Sequence, residues 1–212
     1  MKYGESAFDL FYLACAAAVG ILILAKAKDR AGKLMGLAVL ILGCGDAFHL
    51  VPRVLNYFSD ADLTAALGIG KLITSLTMTV FYVLMYRIWL SYYKEREDRG
   101  LSCAVYVLAV IRFVLCLLPQ NGWLANEAGM QWGIIRNVPF VILGILIIVL
   151  YFRNRQKDRT FSKIWLYVLL SFAFYIPVAV FAGVLPMLGM LMLPKTICYL
   201  FMIFTFYRAV KA

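Results

Sequence analysis

The amino-acid sequence predicts an all-α, polytopic integral membrane protein of seven transmembrane helices, with its N-terminus outside, its C-terminus in the cytoplasm and a 3+1+3 internal repeat. Three observations carry this. Of the 212 residues 64% are hydrophobic and 15% charged, with a mean hydropathy of +0.87, against roughly 45–50% apolar and about 25% charged in a soluble domain. The apolar residues fall into seven runs, each near the ~20 residues that cross a bilayer as a helix. The basic residues sit in alternate gaps between the runs. A soluble globule is excluded, and the connectors are too short to hold an extramembrane domain.

The first run, 6–25, has Glu5 and Asp9 at its start and only Lys2 as a basic residue before it, so it reads as a span and not as a signal peptide. The second covers 34–54 and the third 63–90. A shorter fourth, 101–118, is followed by 132–152, 164–183 and 186–207. The third and seventh are the clearest, and the boundary between the last two is the least marked. Trp89, Trp123, Trp132 and Trp165 fall near span ends, as interfacial anchors do. The five cysteines, Cys15, Cys44, Cys103, Cys116 and Cys198, all lie within apolar runs and read as small buried hydrophobes, not a disulfide framework.

Orientation follows from the loops. Lys26, Lys28, Arg30 and Lys33 flank the first; Arg87, Lys94, Arg96 and Arg99 the third; Arg153, Arg155, Lys157, Arg159 and Lys163 the fifth; Arg208 and Lys211 the tail. These are fifteen of the 21 basic residues. The intervening connectors hold Asp60 and Asp62, then Glu127, then no charge between 187 and 194. Lys and Arg near span ends stay on the cytoplasmic side, which predicts a multi-pass plasma-membrane protein with the N-terminus outside. The net charge of +10 is then mostly topological, with some attraction to anionic lipid, and implies no nucleic-acid partner.

The two ends of the chain correspond. Val19-Gly20-Ile21-Leu22-Ile23 matches Leu143-Gly144-Ile145-Leu146-Ile147 at an offset of 124 residues, and at that offset Lys71 falls on Lys195. Pro52 meets Pro177 at 125. The pattern predicts one membrane domain over residues 1–212, built as repeat A (about 6–90), a linker helix (about 101–118) and repeat B (about 132–207), as in transporters built from parallel repeats.

Ionisable residues inside spans are costly and tend to face a bundle interior or a wet cavity. Asp46 lies ~20 Å along the second span at about 1.5 Å per residue. Asp46, His49 and Arg53 share an arc of about 60° on one helical face. Lys71 enters the third span from the outside, with Thr74 and Ser75 one turn on. Lys195 lies at a similar depth in the seventh, with Tyr199 one turn deeper. Arg112 in the fourth span, Arg136 and Asn137 in the fifth and Asp9 in the first also map to the outer half. Five cations, Arg53, Lys71, Arg112, Arg136 and Lys195, thus stand against two carboxylates, Asp9 and Asp46. Pro52, Pro139, Pro177 and Pro194 lie close by, where kinks free backbone carbonyls. Taken singly, Arg53 and Arg136 could snorkel to headgroups, and Asp46 could be an ion-pair partner for a lysine.

The stretch Gly45-Asp46-Ala47-Phe48-His49-Leu50-Val51-Pro52 resembles the Gly-Asp segment of the bacterial YhhN-like lysoplasmalogenase family, polytopic proteins that hydrolyse the vinyl-ether bond of lysoplasmalogens. The resemblance implies that Asp46 acts as an acid or base. The family's second intramembrane aspartate has no counterpart, because Ser171 is the repeat-equivalent of Asp46, and Lys71 stands near a position where the family tends to have histidine. The seven-span 3+1+3 plan is similar to the SWEET, PQ-loop and KDEL-receptor group. A lysine in the seventh span is a rhodopsin feature, but no carboxylate in the third span offers a counter-ion. With His49 the sole histidine, zinc hydrolysis of the alkaline-ceramidase type is disfavoured.

The expectation is therefore a membrane protein with an outward-facing cationic pocket for a small anionic solute or an anionic lipid headgroup. The ligand set is Arg53, Lys71, Thr74, Ser75, Arg112, Arg136, Asn137, Lys195 and Tyr199, with the lysines as clamp and transport by rocking of the repeats. Asp46 and His49 would form a titratable pair coupling occupancy to protonation. Two alternatives stay open: an intramembrane lipid hydrolase with Asp46 and His49 as catalytic residues, and a receptor or sensor without turnover. No metal or cofactor is expected; the partners are membrane lipids and the anion, with homo-oligomerisation left open.

Overall fold

The computed structural model of the chain describes residues 2–126, 129–181 and 185–211. About 85% of the chain is helical, with no strand among the described residues. The helices are α1 (Lys2–Lys26), α2 (Arg30–Phe58), α3 (Thr64–Tyr93), α4 (Arg99–Leu117), α5 (Met130–Arg153), α6 (Ile164–Phe181) and α7 (Met192–Lys211), with short 3-10 turns at Pro119–Asn121 and Pro186–Leu191. Among the described residues seven helices are long and apolar enough to cross a membrane. Glu127 and the end of the sixth expected span, 182–183, lie outside the described residues.

Each apolar run holds one α-helix, and most run a little past the apolar core; the seventh differs, since residues 186–191 of the expected run form a 3-10 turn and α7 starts at Met192. The second starts four residues early because Asp29 caps it, accepting from the Gly32 N–H at 3.0 Å, so Arg30 and Lys33 become part of the helix. Asp98 caps α4 in the same way through Gly100 N–H. Asp62 accepts from Thr64 N–H at 3.0 Å and sets the start of α3. Lys94, in the left-handed region at φ 53°, ends it.

The helices pack in chain order as a ring: each touches its neighbour in sequence, α7 closes on α1, and cross-contacts join α2 to α7 and α3 to α5. The lower half of α3 threads the middle. Its Phe81, Tyr82, Met85 and Tyr86 are fully buried, and Tyr82 meets Phe140 and Phe172 edge-on at 5.1 and 5.3 Å. Phe81 meets Tyr199 at 6.0 Å. Aromatic quadrupoles favour such crossings.

The end carrying the basic loops is closed by aromatic packing, with a small cleft of about 200 Å³ beside Arg30, Arg87 and Glu97. Phe161 stacks on Tyr92, Tyr151 and Phe206, and the α5–α6 connector is tied across to the end of α3. The Tyr92 hydroxyl donates to Asp158 at 2.7 Å, Asn154 donates to Glu95 at 3.1 Å and Lys157 pairs with Glu95. The Lys157 hydrogen bond holds the Glu95 carboxyl below its usual range. Burial pushes Asp158 upward, but hydrogen bonds from Tyr92 and from backbone N–H groups outweigh it and keep that carboxyl low.

The opposite end is open. There α2 and α3 run close together, since a Cβ on Gly70 would strike the Phe48 carbonyl. The α4–α5 connector folds back over α3, where Gly68 leaves room for the Trp123 carbonyl. This connector contains the chain's one Pro-Gln pair, Pro119-Gln120, in a 3-10 turn. It lies outside the spans, so it adds nothing to the PQ-loop likeness.

Candidate functional site

A cavity of about 1290 Å³ occupies this open end. All five cations selected from the sequence line it: Arg53 from α2, Lys71 from α3, Arg112 from α4, Arg136 from α5 and Lys195 from α7. His49, Thr74, Ser75 and Asn137 line it too. Counting residues along five separate helices thus led to side chains that share one space.

The cations are held in different ways. Lys71 Nζ donates to Asn126 Oδ1 at 2.7 Å. Arg136 donates to Asn121 Oδ1 at 2.8 Å, and its guanidinium lies 4.5 Å from the Trp123 ring. Asn121 is locked by donating to the Leu115 and Leu118 carbonyls. The 2% exposed Arg112 lies 3.5 Å over the Phe140 ring, and its Nε and Nη1 have no hydrogen-bond partner among the described residues. Lys195, 7% exposed, sits 4.9 Å from the Tyr175 ring and 5.4 Å from that of Tyr199. The charges repel in sequence: Lys71 with Arg136, Arg136 with Arg112, and Arg112 with Lys195. Aromatic faces attract a desolvated cation by about 2 kcal/mol, which offsets part of that repulsion but supplies no counter-charge.

Arg53 differs from the other four cations in having carboxylate partners. Its guanidinium pairs with Glu5 and lies 3.8 Å from Asp9, while the Tyr57 hydroxyl donates to Glu5 at 2.9 Å. Arg53 is thus a strut between α1 and α2 at the rim. Among the described residues the other four cations have no carboxylate within ion-pair distance, and Glu5 is the one acidic residue in the wall.

Asp46 and Tyr199 are not in the wall. The Asp46 carboxylate accepts from the Tyr12 hydroxyl at 2.7 Å, because its carboxylate reaches α1, which closes that side of the ring. It stands within the field of Lys195 without an ion pair. His49 shares the helix face but makes no hydrogen bond to Asp46; its Nδ1 is buried without a partner. Tyr199, 2% exposed, packs against Phe81 below the cavity floor. Three further residues expected as ligands already spend hydrogen bonds on the scaffold. Thr74 donates to the Gly45 carbonyl, Ser75 to the Lys71 carbonyl, and Asn137 donates to Gly133 and accepts from Tyr175.

Comparison with protein-family models, with curated proteins and with solved structures returns no match. The chemistry of the site therefore rests on its geometry: a space whose wall holds four cations with no carboxylate at ion-pair distance among the described residues, interspersed with Leu67, Met78, Phe140, Val178, Ala179, Met190 and Met192. Residues that sequence reading passed over are Glu5, Tyr57, Asn121, Trp123, Asn126 and Tyr175. Glu5 carried a signal, since it precedes Asp9 by one helical turn and so shares its face.

Proposed function

We propose that the protein is a multi-pass plasma-membrane protein whose outward-facing cavity binds an anionic solute or an anionic lipid headgroup and transports it. One observation carries the reading: Lys71, Arg112, Arg136 and Lys195 surround one cavity with no paired carboxylate among the described residues. Of the four, Arg112 and Lys195 are buried, Arg136 is half-buried and Lys71 is exposed; buried charge without a close counter-ion is expensive, and an anion removes that cost. The positive-inside rule places the closed, basic-loop end in the cytoplasm and the cavity outside.

A cavity open at one end and packed shut at the other is the arrangement expected of one state in an alternating-access cycle. One adjacency supports the 3+1+3 plan: the α3 to α5 contact is matched by that of α7 to α1, whereas the α2 to α7 contact is not matched to the same extent by α3 with α6. Rocking of the two repeats would open the Tyr92–Asp158 and Glu95–Lys157 links. Asp46 and His49, both beside Lys195 in charge, are the groups that would couple occupancy to protonation.

The test is uptake of labelled anions into proteoliposomes containing the wild type or Lys71→Ala and Lys195→Ala. Loss of flux in both variants is expected; unchanged flux contradicts the reading. A hydrolase using Asp46 would need that carboxylate at the cavity surface, whereas its partner is Tyr12. A sensor would bind the same anion without flux.

A further inference from the structure

The deepest charges of the cavity are Arg112 and Lys195, the two least exposed of its cations. They repel each other, although Asp46 attracts Lys195 more strongly, and they rest on the faces of Phe140, Tyr175 and Tyr199. Two Arg112 nitrogens are buried and unpartnered. A guanidinium beside an ammonium with open donors matches a group that has negative charge and at least three acceptor oxygens. A phosphate monoester has both, with a charge of about −1.5 to −2 at neutral pH, and arginine is suited to phosphate by its planar fork of donors. A carboxylate brings only two acceptor oxygens, too few for the two open Arg112 donors and the Lys195 ammonium together.

The rest of the wall argues for what the phosphate is attached to. Drug-sized ligands occupy roughly 300–1,000 Å³, and this cavity is about 1290 Å³, far more than a free phosphate fills. Val178, Ala179, Met190 and Met192 give it an apolar side on α6, on the turn that follows and at the start of α7. We infer that Arg112 and Lys195 form a seat for the phosphate of a single-chain phosphate-monoester amphiphile, with the hydrocarbon chain lying along the wall made by Val178, Met190 and Met192. This inference rests on the anion-binding reading of the same cavity.

Equilibrium binding to the full chain in neutral detergent, with each probe below its micelle concentration, separates the cases. Dodecyl phosphate is expected to bind at least about tenfold more tightly than dodecanoate or inorganic phosphate, where tenfold corresponds to about 1.4 kcal/mol. Arg112→Gln should reduce dodecyl phosphate to the dodecanoate level, and Arg112→Lys should restore part of the difference. Lys195→Gln carries the same test if Arg112→Gln does not assemble. Equal affinity for dodecanoate, or for inorganic phosphate, overturns the inference. If that equality comes with weaker binding of every anion in Lys195→Gln, the anion-binding reading survives alone. No binding of any probe overturns both.

Discussion

The Tyr12 hydroxyl donates a 2.7 Å hydrogen bond to Asp46 Oδ2 and so joins α1 to α2 in the interior of the bundle. Tyr12 is fully buried, so the bond has no competition from solvent on the tyrosine side. Hydrogen bonds within membrane bundles average about 0.6 kcal/mol and reach about 1.7, with charged acceptors at the upper end. Tyr12→Phe is expected to destabilise the fold by about 1–2 kcal/mol, read from reversible unfolding in bicelles. Asp46→Asn keeps an acceptor for Tyr12 and should cost less.

Arg53 and Glu5 give a prediction with an unusual sign. Because Glu5 pairs with Arg53, Glu5→Gln removes a negative charge from the cavity rim and leaves Arg53 with Asp9 alone, 3.8 Å away. Affinity for an anionic probe should rise, by about two- to tenfold at low ionic strength. Titration of wild type and variant at two salt concentrations checks this, and the gain should shrink at high salt.

At Gly70 the obstruction is backbone. A Cβ there meets the Phe48 carbonyl and the His49 Cα, neither of which can rotate away. Gly70→Ala should therefore separate α2 from α3 and cost about 1–3 kcal/mol, as overpacking does, with a matching fall in unfolding midpoint.

The links at the closed end predict an acid response. Glu95 is held below its ordinary value of 4.5 by Lys157, so its folded-state value is depressed. Its contribution is fully present above 4.5 and is lost as pH falls through the lower, folded value. Asp158 behaves alike through Tyr92 and backbone N–H donors, with burial opposing. The thermal midpoint should drop as pH is lowered from 5 to about 3, and Glu95→Gln should flatten that drop in midpoint scans.

Much of this was legible in the sequence for a physical reason. Hydropathy and loop charge report on length and composition, and both were sufficient to find seven helices and to place Arg53, Lys71, Arg112, Arg136 and Lys195 at one end. Helix rotation is different, because it depends on which neighbour a face meets. Asp46 shares a stripe with His49 and Arg53, yet its carboxylate goes to Tyr12, 34 residues away, and no local pattern marks that pairing. Tyr199 follows Lys195 by one turn, but the flexible lysine reaches up to the cavity while the rigid ring packs below against Phe81. The connector residues Asn121, Trp123 and Asn126 have no periodicity to read. They enter the site because Gly68 admits the Trp123 backbone.

The central claim is that Lys71, Arg112, Arg136 and Lys195, which have no ion-pair partner among the described residues, hold an anion. Native mass spectrometry of the protein gently extracted from its own membrane tests it most directly, comparing wild type with the Lys71→Ala, Lys195→Ala double variant. The account predicts a retained anionic species on the wild type that is absent from the variant. An identical spectrum for the two proteins, whether both empty or both loaded, would contradict it.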